Sequence, residues 1–199
     1  MPHKFCLVCA KEGKSCCSHE NGGTFVTIEE ALRIANLIGK NPDEVAVFAK
    51  DEDLKEEKDY LNYSNLYFRE DRKVVPLAHK SCLLVLKRHG KDCIFLSKEG
   101  CILPRELKPS YCRLFPFWFR IKDGEVKIFR MEGDHVCLIG EKLKDDSKIL
   151  KAIGESPASL KEAAKRLASE VKREAKALER LYQGESLKMA ASVEKWESL

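Results

Sequence analysis

Apolar positions along the chain change period several times, and each change predicts a different element. Ile28, Ala31, Leu32, Ala35 and Leu37 recur at near-helical spacing behind a Thr27–Glu30 capping box, and Gly39 supplies the stop. Asn41 and Pro42 open a second short helix as N-cap and first helical residue, with Val45, Val47 and Phe48 as its apolar content. Residues 51–59 are nearly all charged and read as a solvated loop or helix end, and Tyr60, Tyr63, Tyr67 and Phe68 follow without a clear period.

Between Lys73 and Leu96 the runs shorten and become β-like: Val74 and Val75, then Cys82 to Leu86, a turn at His89, Gly90 and Lys91, and Cys93 to Leu96. They predict a small antiparallel sheet. The stretch from Trp118 to Met131 is a firmer hairpin, because Asp123 and Gly124 suit a type I′ turn between alternating Phe119, Ile121 and Val126, Ile128. It is expected to extend the same sheet. Helical spacing returns from about Leu143 to Ile153 and stops at Gly154, after which Ser156 and Pro157 open a longer helix. Its stripe of Leu160, Ala164, Leu167, Val171, Leu178 and Leu181 runs about seven turns and ends at Gly184. The stripe is expected to pack on the body or on a second copy. A final short helix carrying Trp196 fits residues 185–199, and no internal repeat is visible.

The pattern therefore predicts an α+β fold: a small mixed domain with short helices, a small antiparallel sheet and cysteine-rich loops over residues 1–140, then a helical extension over 141–199 with a long amphipathic helix. With 199 residues, 44% hydrophobic and 34% charged, the chain has the composition of a folded domain rather than a disordered one. No apolar run approaches the ~20 residues needed to span a bilayer, which excludes a membrane-spanning helix. Lysines and arginines number 36 against 32 acidic residues, and the net +4 is spread along the chain, so nucleic-acid binding is not indicated.

Cysteine changes this picture. There are nine, an odd count at a density well below that of disulfide scaffolds, and no apolar signal segment precedes Cys6. A reduced, cytoplasmic setting follows as the expectation, and there clustered thiols are more often metal ligands than staples. Cys6 and Cys9 form a C-x2-C pair, the spacing at which one tight turn aims two thiolates at one ion. Cys16 and Cys17 are adjacent, and because neighbouring side chains diverge they suit two metal atoms or two edges of a cluster. Cys93, Cys101, Cys112 and Cys137 form a later group, while Cys82 lies inside an apolar run and reads as a small buried hydrophobe. Eight thiols remain, enough for two four-ligand sites or for one cluster and a partial site. Arg113, beside Cys112, is a candidate to donate hydrogen bonds to a cluster sulfur, with a salt bridge as the alternative. Phe115 to Trp118 suit either a dry wall at the metal or ordinary core, and His19 and His135 read as bystanders.

These residues resemble the YkgJ-type family of zinc- or iron-chelating cysteine-cluster proteins. The likeness runs from residue 6 to about 140: Cys6, Cys9, Cys16 and Cys17; Cys93, Phe95 and Leu96; Cys101 and Ile102; Lys108 and Pro109; Cys112, Arg113, Phe115 and Pro116; and Cys137. Lys108 stands where the family usually has Arg, Cys9 and Cys16 are more widely spaced, and Cys82 is extra. The resemblance implies a cysteine-bound metal centre rather than a particular reaction. Flagellin lysine N-methylase is a larger relative in its cysteine pattern, so a methylase is one reading by analogy. No Gly-rich nucleotide loop, G-x-S-x-G elbow or radical-enzyme cysteine triplet is present to support methyl transfer, hydrolysis or radical chemistry. The expectation is a cytoplasmic metal-cluster protein, iron–sulfur ahead of zinc, with a redox, sensing or maturation role. Its rival is a zinc-stabilised interaction module that meets a protein partner through the C-terminal helix.

Overall fold

The computed structural model describes Cys17 and residues 24–50, 82–131 and 143–181, and across them the chain is an α+β mixture. Helix α1 (Ile28–Ile38) starts as expected: Thr27 Oγ1 accepts from the Glu30 amide at 3.0 Å, and the Glu30 carboxylate accepts from the Thr27 amide at 3.3 Å. Gly39, at φ +65°, ends it in the left-handed conformation that glycine adopts without a steric penalty. Helix α2 (Pro42–Val45) begins at Asn41 and Pro42 but lasts four residues, too short to propagate alone. Val47 and Phe48, expected in that helix, instead lie in strand β1 (Ala46–Lys50). β1 runs antiparallel to β2 (Cys82–Leu86), with Ala46 opposite Leu86 and Lys50 opposite Cys82. β-branched and aromatic residues suit a pleated ladder once an apolar partner run is available.

The expected single sheet is also corrected, since the described strands form four separate two-stranded ribbons. The run from Cys93 to Leu96 is broken after Cys93. β3 (Arg88–His89) pairs with β4 (Asp92–Cys93), and β5 (Leu96–Ser97) pairs with β6 (Gly100–Cys101). Between them the Ile94 amide turns to the Lys87 carbonyl at 3.1 Å. A 3-10 turn (Arg105–Leu107) and the short helix α3 (Ser110–Leu114) then lead to β7 (Phe117–Lys122) and β8 (Glu125–Arg130). Their hairpin turns at Asp123 and Gly124, both at positive φ, as its sequence predicts. It does not extend the other ribbons, because its apolar face is covered by helices.

Those helices are α4 (Asp146–Ile153), which starts at the Asp145 cap rather than at Leu143, and α5 (Pro157–Leu181). Gly154 at φ +68° separates them. Leu160, Ala164 and Leu167 of the predicted stripe are buried with Ile149, Leu114, Phe117, Phe119 and Val126 in one apolar cluster, so this part of the stripe packs on the body. A second cluster joins α1 to the ribbons through Ile34, Leu84, Leu86, Phe95, Leu103 and Cys93. Among the described residues no helix is long and apolar enough to cross a membrane. The expectations for residues 51–75, Gly184 and residues 185–199 lie outside the described residues, as do Cys6, Cys9, Cys16, His19, His135 and Cys137.

Candidate metal centre

Four thiols come together where these short elements meet: Cys17, Cys93, Cys101 and Cys112. Each arrives from a different piece of local structure. Cys93 closes the β3–β4 ribbon, whose turn uses Gly90 at φ +60°, and Cys101 closes β5–β6 opposite Leu96. Cys112 is the third residue of α3. The Cys17 carbonyl accepts from the Cys93 amide at 2.8 Å, which ties Cys17 to the ribbons. Ser97 steadies the β5–β6 turn, its hydroxyl donating to the Gly100 carbonyl at 2.8 Å and accepting from the Glu99 amide at 3.1 Å.

The surroundings are apolar. Cys93 is buried with Phe95 and Leu103, and Cys17 and Cys101 pack against the same cluster. Burial pushes the Cys93 thiol up to about 12, and the nearby Cys17 and Cys101 add to the rise while the Phe95 amide opposes it. Cys112 is raised well above an ordinary thiol by burial first, then by Cys17, Cys101 and Cys93, and last by the Glu30 carboxylate. Thiols that raise one another in this way resist ionising together unless a cation joins them. Among the described residues no three His, Cys, Asp or Glu side chains form a ready-made single-ion site.

Arg113 faces a carboxylate. Its Nε and Nη2 donate to Glu155 Oε1 and Oε2 at 3.1 and 3.2 Å, alongside Arg105 at 3.2 and 2.8 Å and the Ser159 hydroxyl at 2.6 Å. Glu155 is only 3% exposed, so this is an inward-facing ion cluster rather than a surface pair. Of the aromatic run, Phe117 and Trp118 belong to the cluster under α4 and α5, where Trp118 meets Tyr111 edge-on at 5.4 Å; they are core, and Phe95 and Leu103 line the thiols instead. The side chain of Cys82 lies outside the described residues.

Sequence reading missed the acidic residues around Cys112. Glu30 was legible only as a capping residue, yet its Oε1 also accepts from the Ser110 amide at 2.7 Å, 80 residues away. Burial pushes its carboxyl up, Ser110 pulls it part of the way back, and Glu170 raises it again. The Thr27 hydroxyl donates to Glu170 at 2.6 Å, and Arg33 and Arg166 stand between the two carboxylates.

The Glu155 cluster has a pH consequence. Burial raises this carboxyl, but the hydrogen bonds from Arg105, Arg113 and Ser159 outweigh it and bring it down to about 2. A carboxyl depressed in the folded state contributes stability that is complete above its unfolded range near 4.5 and disappears as pH falls toward about 2. Urea unfolding of the native chain and Glu155→Gln is expected to show a gap that is constant from pH 7 to 5 and narrows below pH 4.5. A gap that does not change with pH contradicts the assignment.

Compared with known proteins, the chain matches no family model, no curated protein and no solved structure.

Proposed function

We propose that this chain is a cytoplasmic metal-cluster protein of the YkgJ type, in which Cys17, Cys93, Cys101 and Cys112 hold an iron–sulfur centre. The observation that carries this reading is the convergence of four thiols from four separate segments, three of them seated on one apolar cluster. The donor set fits: four soft ligands in a reduced chain suit an iron–sulfur cluster first and zinc second. Such a cluster supplies reversible one-electron chemistry, from which a redox, sensing or maturation role follows.

The chain's own residues would orient and shelter it. The two ribbons fix Cys93 and Cys101 at strand ends, α3 presents Cys112, and Phe95 and Leu103 limit water at the thiols. Cys6, Cys9, Cys16 and Cys137 supply a second set of four, for another site or for exchange with the first. A protein partner would meet the charged outer face of α5, at Lys161, Glu162 and Lys165, since Leu160, Ala164 and Leu167 of the apolar stripe are already covered.

The test is iron, zinc and acid-labile sulfide per chain, with the visible spectrum, on protein purified without oxygen. Iron with matching sulfide and a brown colour is the expected result. Stoichiometric zinc without colour overturns the iron–sulfur assignment in favour of a zinc-stabilised interaction module, and absence of both metals overturns the metal reading altogether.

A further inference from the structure

Cys112 sits on a helix that cannot hold itself. α3 has five residues, its N-cap is Pro109 with no side-chain cap, and a helix this short is unstable without outside partners. The outside partners come from the C-terminal helices, and they grip the residues flanking the thiol. One residue after Cys112, the Arg113 guanidinium is held by Glu155 at the junction of α4 and α5. Two residues before it, the Ser110 hydroxyl accepts from Arg166 Nη2 of α5 at 3.2 Å, and the Ser110 amide donates to Glu30. Glu30 is itself tied to α5, since Thr27, its capping partner, donates to Glu170 and Arg33 bridges to the same carboxylate at 3.1 Å.

We propose that Glu155 and Arg166 are positioning residues of the metal centre, acting through Arg113 and Ser110 to set Cys112 against the other three thiols, so that metal loading and docking of α5 reinforce each other. The proposal rests on the metal reading above. Reciprocity is a thermodynamic requirement: if docked α5 favours the loaded site, the loaded site favours docked α5 by the same factor. Because the grips attach on both sides of one ligand, they govern the placement of that thiol and not only the packing of the helix. Residues that orient a metal ligand in this way typically change affinity by about 10–100-fold when removed.

Two measurements on the full chain test this. The first is amide hydrogen exchange across residues 157–173, comparing protein as purified without oxygen with the same protein stripped by a chelator. Exchange in α5 is expected to speed up at least about tenfold on stripping. The second is the rate at which excess chelator removes the metal from Glu155→Gln and Arg166→Met, set beside Val126→Ala. Val126 is a buried apolar hairpin residue in the cluster under α5, outside the hydrogen-bonded grips, and serves as a control for packing and general stability. Release is expected to quicken about 10–100-fold in the two grip variants, to recover partly in Arg166→Lys, and to quicken much less in Val126→Ala. If Glu155→Gln or Arg166→Met fails to fold, the exchange experiment on the native chain still decides. Metal present with unchanged α5 exchange overturns the coupling alone, and equal acceleration in Val126→Ala overturns the positioning role of Glu155 and Arg166. A native chain that purifies without metal overturns the metal reading and the coupling with it.

Discussion

Cys112→Ser is expected to purify without its metal. A serine hydroxyl does not ionise in the range where a thiolate forms, so the substitution removes one of four soft ligands and leaves the other three thiols without a closed set. The loss of affinity should exceed the roughly 100-fold that follows removal of a supporting hydrogen bond. Iron and sulfide, or zinc, should fall to background, and the thermal midpoint should drop because metal binding at such sites is also folding free energy. Cys93→Ser should behave alike, since its thiol lies close enough to Cys112 to raise it. Full metal content in both variants, measured by elemental analysis, means that the centre does not use this set of thiols.

The second large effect falls on stability. Phe119 is fully buried in the cluster that joins the β7–β8 hairpin to α4 and α5. Truncating such a ring to alanine removes its transfer energy and leaves a cavity, and Phe119→Ala is expected to cost about 3–5 kcal/mol. Domains are stable by only about 5–15 kcal/mol, so this variant should be partly unfolded near body temperature. Urea unfolding at 25 °C measures the change. A loss below about 1 kcal/mol would mean that hairpin and helices do not share one core.

Local signals were the legible part of this fold. The Thr27–Glu30 capping box, the Asp123–Gly124 turn, the Gly154 stop and the opening of α5 at Pro157 all depend on residues within a few positions of one another, and each appears as read. What sequence pattern did not reveal was pairing at a distance. The short apolar runs from Ala46 to Cys101 pair in three ribbons rather than one sheet, because period alone says which residues face inward but not which run lies beside which. Val47 and Phe48 went to a strand for the same reason: their partner strand lies more than thirty residues further on.

The candidate centre divides along the same line. Its thiols were visible by residue type, since cysteine carries its chemistry wherever it falls. Its acidic supports were not, because Glu30 and Glu155 look like an ordinary capping residue and an ordinary loop residue until Ser110 and Arg113 are brought to them across 80 and 42 residues. Arg113 was visible as a cation near a ligand, but its partner was not.

The fixed beginning of α5 gives the molecule a constraint of a different kind. Arg166 and Glu170 lie one turn apart on that helix, and Glu155 stands just ahead of its first residue, Pro157. One residue inserted between Pro157 and Arg166 would rotate everything beyond it by about 100°, swinging Arg166 and Glu170 away from Ser110 and Thr27 while Glu155 kept its hold on Arg113. Point changes on the outer face of this segment can be absorbed, but changes in its length cannot. Among relatives of this chain, the interval from Glu155 to Glu170 should keep a constant count.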